Sequence, residues 1–344
     1  MNLEKEENIG LVLRTQADLA RHLGLARMTV QKALSDSLSV NKKTKSLVLE
    51  TAKKHGYRPN RAALSMRSGV FNTVTIVGAT ERGVSHIPHG ILQGINDKSN
   101  EKGLKVLLGE GFYNEKKNFE PEALKELITD GLLIHYYIGI TDRIKTQVES
   151  YHLPFVWLNA SYDKNAVRPD DFQAGKSAAE KLAELGHEKI AYVSYHGDRH
   201  YSIKERYEGA LSVLKNFKRV NFTEQFTDSY SEGICERDAY ELLSSENVPT
   251  AVICYETAEA IAICSAAAAL GLSVPEDLSV VVFHAEAARA YIGKRLSTYV
   301  VPFQKVGEEA LDMLVKRIST GKSYDSVKVP FEFVDDGSLK NYEC

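Results

Sequence analysis

The chain has 344 residues, room for two to three domains with real cores, and its 43% hydrophobic and 26% charged residues are those of a globular protein. No run approaches the roughly 20 apolar residues of a membrane span. The charged start from Met1 to Glu7 reads against a signal peptide, so the expectation is a cytoplasmic protein with no membrane partner. Cys235, Cys254, Cys264 and Cys344 have no Cys-x-x-Cys spacing and read as packing residues, not as a zinc site or disulfide framework.

The net charge of −3 conceals an asymmetry. Residues 14–69 hold twelve Lys/Arg against three acids, whereas everything after 69 holds 30 basic and 40 acidic residues. A basic module joined to an acidic body is the electrostatic footprint of a polyanion binder, most often a nucleic-acid binder.

Thr15 is placed to cap a first helix in which Leu19, Ala20 and Leu23 share a face and Gly24 supplies the C-cap. A second helix starts at Arg27, with Val30, Ala33 and Leu34 as its apolar stripe and Arg27, Met28, Gln31 and Lys32 outward. A third, from about Lys43 to His55, is expected to bury Leu47, Val48 and Ala52 and to stop at Gly56. Two short helices joined by a tight glycine turn, with a supporting third, make a helix-turn-helix. Such a second helix offers its N-terminal side chains to base edges in the major groove, which suits Arg27 and Met28. Thr29 and Lys32 are placed for backbone phosphates.

From Thr73 onward, short apolar runs alternate with helical stretches: 74–77, 106–108, 131–134, 155–158, 190–193, 251–254 and 279–283 read as buried strands, 89–101 and 172–185 as helices. That alternation implies parallel sheets covered by helices, and some 270 residues of it imply two lobes.

The segment from Asp18 to Leu34, with Val40, Thr44 and then His55-Gly-Tyr-Arg-Pro-Asn60, closely resembles the N-terminal module of LacI/GalR-family transcription regulators. Gly94-Ile95, Asp130-Gly131, Leu153-Pro154, the 185–190 segment, Arg206-Tyr-Glu-Gly209, the 271–279 segment and Leu296-Ser-Thr298 extend the resemblance over nearly the whole chain. It implies an all-α helix-turn-helix domain at 14–58, a hinge helix and linker at 59–72, and an α/β periplasmic-binding-protein-like core at 73–344. The core would have an N-lobe of 73–168 and 302–321 and a C-lobe of 169–301 and 322–344. It further implies a homodimer on double-stranded operator DNA, with Thr15, Arg27, Met28, Thr29, Gln31, Lys32, Tyr57, Asn60, Ala63 and Met66 at the DNA. Met66 stands where the family inserts a leucine into the minor groove, and an apolar wedge there kinks the duplex.

The resemblance also implies a small-molecule effector between the lobes, a carbohydrate or a sugar phosphate or acid, with no cofactor. The candidates are His86, His89, His196, Ser202, Arg206, Tyr230, Glu256, His284 and Phe303. The family's Gly-Phe-Asp-Asp becomes Val282-Phe-His-Ala285, its Asn-Asp becomes Glu256-Thr257, and its late arginine becomes Asp336. With sugar-binding acids lost and Arg206 kept, the residues favour an anionic effector, because a guanidinium grips carboxylates and phosphates with two bonds. A family member working without a small effector is the competing reading. The pairs His86/His89 and His196/His200 have ligand-like spacing without a carboxylate or Cys partner, so they read as loop histidines. Gly186-His187 reads as a structural turn, and Asp170-Asp171 as a carboxylate pair without a supporting partner for acid chemistry. No nucleophile with its base and no phosphate loop supports an enzyme.

Overall fold

The computed structural model describes residues 13–58, 65, 69–78, 80, 81, 84, 85, 87–110, 128–135, 142–195, 200–227, 234–285 and 295–342. The chain divides into two compact units, residues 1–71 and 72–344.

Among its described residues the first unit carries three helices whose bounds are given: α1 (Gln16–Leu23), α2 (Arg27–Leu34) and α3 (Lys42–Lys54). Thr15 Oγ1 accepts the Asp18 N–H and Asp18 Oδ2 accepts the Thr15 N–H, each at 3.0 Å, so two otherwise orphaned donors at the helix start are satisfied reciprocally. Gly24, at φ 65°, ends α1 in the left-handed region that only glycine adopts freely, and lets the Leu25 N–H return to the Ala20 carbonyl at 2.9 Å. Leu13, Leu19, Ala20, Val30, Ala33, Val48, Ala52 and Tyr57 form the core. Leu47 departs from expectation: it is 48% exposed. Val48 and Ala52, four residues apart, are the stripe that packs, and Leu47 lies about 100° round the helix from Val48.

The second unit holds two six-stranded sheets. Its elements are β1 (Thr73–Gly78), a small hairpin of β2 (Thr80–Glu81) and β3 (Val84–Ser85), α4 (His89–Lys102), β4 (Lys105–Glu110), β5 (Gly131–His135), α5 (Asp142–Ser150), β6 (Phe155–Leu158), β7 (Ala166–Pro169), α6 (Asp171–Glu184), β8 (Lys189–Ser194), α7 (Tyr201–Leu214) and β9 (Asn221–Phe226). Then follow α8 (Ile234–Leu243), β10 (Ala251–Cys254), α9 (Thr257–Ala269), β11 (Ser279–His284), β12 (Ser297–Val300), α10 (Phe303–Thr320), β13 (Val327–Val329) and β14 (Glu332–Val334). The first sheet runs β13-β7-β6-β5-β1-β4 and the second β14-β12-β11-β10-β8-β9. Within these two sheets every strand pairing is parallel except β12 with β14.

Successive side chains alternate faces, so each sheet carries two cores. In the first sheet Val74, Ile76, Leu133 and Val156 pack under α4 and α10, while Val77, Leu132, Ile134 and Trp157 pack with Val148 of α5. In the second, Ile190, Tyr192, Ile253 and Phe283 meet α6 and α7, and Val193, Val252, Val280 and Val282 meet α8 and α9.

The chain passes between lobes after β7, before α10 and between β13 and β14. The last passage lies near Pro330, not at 321 as expected, because Val327–Val329 pairs with β7 and so keeps the segment after α10 in the first lobe. β9, a solvent-facing edge strand, and the short strands β7 and β12 to β14 lie outside the seven apolar runs.

Candidate functional site

Two sets of side chains stand out, one in each unit. In the first, Arg27, Met28 and Lys32 lie exposed on α2, with Thr29 and Gln31 half-buried beside them. Met28 is 60% exposed, an apolar side chain held in water at the N-terminal end of a helix whose opposite face buries Val30 and Ala33. Thr15 caps α1 and its hydroxyl is used there. Tyr57 is placed differently from expectation: its ring is core, 8% exposed, and its hydroxyl pairs with Gln16 while burial raises its pKa. Asn60, Ala63 and Met66 lie outside the described residues.

In the second unit, residues following the carboxyl ends of strands in both lobes meet the first two turns of α7. Arg206 is 5% exposed. Its Nε donates to Asp171 Oδ1 at 2.8 Å, its Nη1 to the Tyr255 carbonyl at 3.0 Å, and its guanidinium lies 4.7 Å from the ring centres of Tyr255 and Phe283 and 5.4 Å from that of Phe331. Burial raises the pKa of Asp171, against the pull of Arg206; Asp171 in turn helps hold Arg206 above its ordinary value despite burial. Two nitrogens of the fork, Nε and Nη1, are thus committed inside the protein, and the charge faces that of Asp171.

The same helix is tied to the first lobe. Glu205 forms a salt bridge with Arg168 of β7 and accepts the Ser161 hydroxyl at 3.2 Å. The Tyr201 hydroxyl donates to Asn159 Oδ1 at 2.9 Å, and Arg168 lies over the Tyr201 ring at 5.2 Å. His200 is buried and contacts Ser202 Oγ through Nδ1 at 2.7 Å; Ser202 Oγ lies 2.8 Å from the Tyr255 hydroxyl. Burial first and the Arg206 charge second push the His200 pKa down to about 4, so the ring is neutral. Phe303, at the start of α10, packs against the cores of both lobes.

Ser202 and Arg206 therefore stand together, with Phe303 at the junction of the two cores. The Glu256 backbone N–H, just before α9, donates to Glu259 Oε2 at 3.2 Å. His284 ends β11 half-buried, and His89 is exposed at the start of α4. His86, His196 and Tyr230 lie outside the described residues. Sequence reasoning missed Asp171, Asn159, Arg168, Glu205 and Tyr255. Asp171 carried the one available signal, a carboxylate next to a helix start, but its partner lies 35 positions away. Among the described residues no His, Cys, Asp or Glu group is arranged to hold a metal. His187 is structural, bonded to Thr250 at 3.0 Å and Ser279 at 2.9 Å.

A model of periplasmic binding protein-like domains matches residues 179–338. The chain is 27% identical over 312 residues to the probable transcriptional repressor ExuR of Bacillus subtilis, covering 89% of this chain and 92% of that one. It is 26% identical over 321 residues to the transcriptional repressor PurR of Mannheimia succiniciproducens, with the same coverage of 89% and 92%. The lac repressor dimer bound to operator and the anti-inducer ONPF superposes with a TM-score of 0.78 at 21% identity, over 95% of this chain and 99% of that one.

Proposed function

We propose that this chain, which belongs to the LacI family of transcriptional repressors, binds an inverted-repeat DNA operator as a homodimer and is controlled by a small hydroxylated effector held between its lobes. The observation that carries the operator reading is α2: Arg27, Met28 and Lys32 stand exposed on a helix whose other side is fixed by Val30 and Ala33. Arg27 and Met28 are the base readers, an arginine for guanine and an apolar group for a thymine methyl. Lys32, Thr29 and Gln31 position the helix on the backbone. Tyr57 acts from behind, through Gln16. Asn60, Ala63 and Met66 are proposed as further DNA contacts.

One such module covers half a site, so two copies are required for a palindrome. Helix α9 supports the pairing: it is alanine- and isoleucine-rich on every side, the pattern of a covered helix, yet Ala268 and Ala269 are exposed. For the effector, a balanced Arg206 beside the faces of Tyr255 and Phe283 and the hydroxyl of Ser202 favours a carbohydrate over a sugar phosphate or acid. The protein works in the cytoplasm, on nucleoid DNA, without cofactor or catalysis.

Selection from a random duplex pool, followed by fluorescence anisotropy at several salt concentrations, tests this. The expected outcome is an inverted repeat bound at least about 10³-fold more tightly than random duplex, with affinity falling steeply as salt rises. Recovery of nothing above background, with and without added metabolite extract, overturns it. Carbohydrates and their acids are then screened for a shift in affinity for the recovered duplex.

A further inference from the structure

Strand β9 is an edge of the second sheet: it pairs with β8 on one side, and among the described residues nothing pairs with it on the other. The Asn221 N–H donates to the Glu188 carbonyl at 2.7 Å and the Thr227 N–H to the Ser194 carbonyl at 3.1 Å. A strand turns alternate backbone groups to opposite sides, so Asn221, Thr223, Gln225 and Thr227 are the residues whose groups face β8. The N–H and carbonyl groups of Phe222, Glu224 and Phe226 therefore point out of the sheet. Such edges are commonly blunted by lysine, proline or a bulge, and the run Asn221-Phe-Thr-Glu-Gln-Phe226, in continuous register with β8, has none of them. The side chains beside the edge are apolar. Phe222 stacks on Tyr207 of α7 with ring centres 5.6 Å apart, and Phe226 meets the same ring edge-on at 5.3 Å, so both lie on the α7 face. Leu211, one turn on from Tyr207 along the same side of α7, and Phe217, in the turn leading into β9, add exposed apolar surface. Leu211, Phe217 and Phe226 are 38%, 40% and 39% exposed. In the same turn stand Lys215, Lys218 and Arg219, all exposed; of the three only Arg219 has a carboxylate in reach among the described residues, Glu188 at 3.9 Å. On a body with 40 acidic and 30 basic residues, this turn is a local reversal of sign.

We propose that the free edge of β9 is a docking site for a partner protein, which adds an extended acidic segment to the sheet as a further strand. Its alternate side chains are apolar and cover Phe222, Phe226 and Leu211, and its carboxylates lie at the end that meets Lys215 and Lys218. Main-chain bonds supply affinity whatever the sequence; the alternating apolar contacts and the charge at one end supply the choice of partner. A second copy of this chain is a poorer occupant. Two β9 strands paired about a two-fold axis at Glu224 set that carboxylate against its own copy, and like charges directly opposite destabilise a strand pair. Such a pair also offers no acid to the basic turn. The docking site uses none of the residues assigned to operator or effector.

The test is selection of phage-displayed random dodecapeptides on the full-length protein, with binding of the recovered peptides measured by fluorescence anisotropy. The expected peptides carry apolar residues at alternate positions and acids toward one end. Glu224→Pro removes one outward N–H, and edge positions accept proline. It should weaken these peptides at least about tenfold, the worth of one or two main-chain bonds. Lys215→Glu together with Lys218→Glu should weaken them about 5-fold at low salt and less at high salt. Leu211→Ser, on the exposed side of α7, should also weaken them about 5-fold, and it carries the test if the proline variant does not fold. In the wild type, peptide binding should slow amide hydrogen exchange at Phe222, Glu224 and Phe226, while Thr223 and Gln225, already paired with β8, change little. No enriched peptide, peptides indifferent to these substitutions, or protection away from β9 overturns the proposal. Self-association of the wild type that Glu224→Pro abolishes assigns the edge to a second copy and overturns it equally.

Discussion

The two functional regions are built on opposite terms. On α2 Arg27, Met28 and Lys32, three of the side chains assigned to DNA, are exposed, and no ion pair ties Arg27 or Lys32 to another described residue. At the lobe seam the polar groups are buried and answer one another: Asp171 and Arg206, Arg168 and Glu205, His200 and Ser202. A surface that must meet a polyanion in water has its charges displayed and its scaffold hidden. A seam that must hold two lobes in register has its charges neutralised internally, because an unmatched ion there costs several kcal/mol. On the proposed function, substitution in the first region should change binding and spare stability, whereas in the second it should change both.

The largest effect that sharpens this contrast is Asp171→Ala. It leaves the Arg206 guanidinium buried without its counter-charge, and the expected loss is about 3–5 kcal/mol, measured by urea unfolding of the full-length protein. A loss near zero would mean that Arg206 is balanced by something other than Asp171. Gly175→Ala comes next. A Cβ at Gly175 would stand 1.9 Å from the Arg206 carbonyl oxygen, so α6 and α7 must part, at a cost of about 1–3 kcal/mol. Both substitutions disturb Arg206, so the double variant should lose less than the separate losses added together. Strict additivity would show that helix packing and ion pairing are independent there.

On the other side of the comparison, Arg27→Ala and Lys32→Ala should leave unfolding within about 0.5 kcal/mol of wild type. Their effects are expected in the anisotropy assay. Arg27→Ala costs about 1–3 kcal/mol of operator affinity and relaxes the preference at one base pair, while Lys32→Ala weakens all duplexes alike and lowers the salt slope by about one. A reversal, with Lys32 changing the preferred sequence, would exchange their roles.

How legible each region was in the sequence follows from the same contrast. The helix-turn-helix is local: a cap, a glycine and a stripe of period 3.6 occur within twenty residues, and the structure keeps all three. The seven apolar runs are strands for a similar reason, since buried parallel strands are continuous apolar segments. What was not legible is long-range. Arg206 was recognised as a site residue, but nothing within a few positions of it announces Asp171 or Tyr255, which lie 35 and 49 residues away. The internal partners of its charge could therefore not be anticipated from the sequence. Leu47 failed by one step of helical phase, and the late passage between lobes failed because Val327–Val329 is three residues long and finds β7 only in space.

The smallest effect separates scaffold from reader within the first unit. Helix α1 starts with a full capping box, whereas α2 starts at Ala26, whose side chain caps nothing although its φ of −65° and ψ of 140° are those of an N-cap. Ala26→Ser adds a side-chain acceptor for the first-turn N–H groups of α2, of which the Thr29 N–H already donates to the Ala26 carbonyl at 2.9 Å, leaves the Arg27 and Met28 side chains as they are, and should stabilise the helix by about 1 kcal/mol. The measurement is hydrogen exchange of the α2 amides in the full-length protein, expected to slow about 5-fold at that gain. If operator affinity stays unchanged while exchange slows, the order of α2 and the identity of its outward side chains are separable. If affinity rises in step, part of the binding free energy is spent on ordering the start of the reading helix.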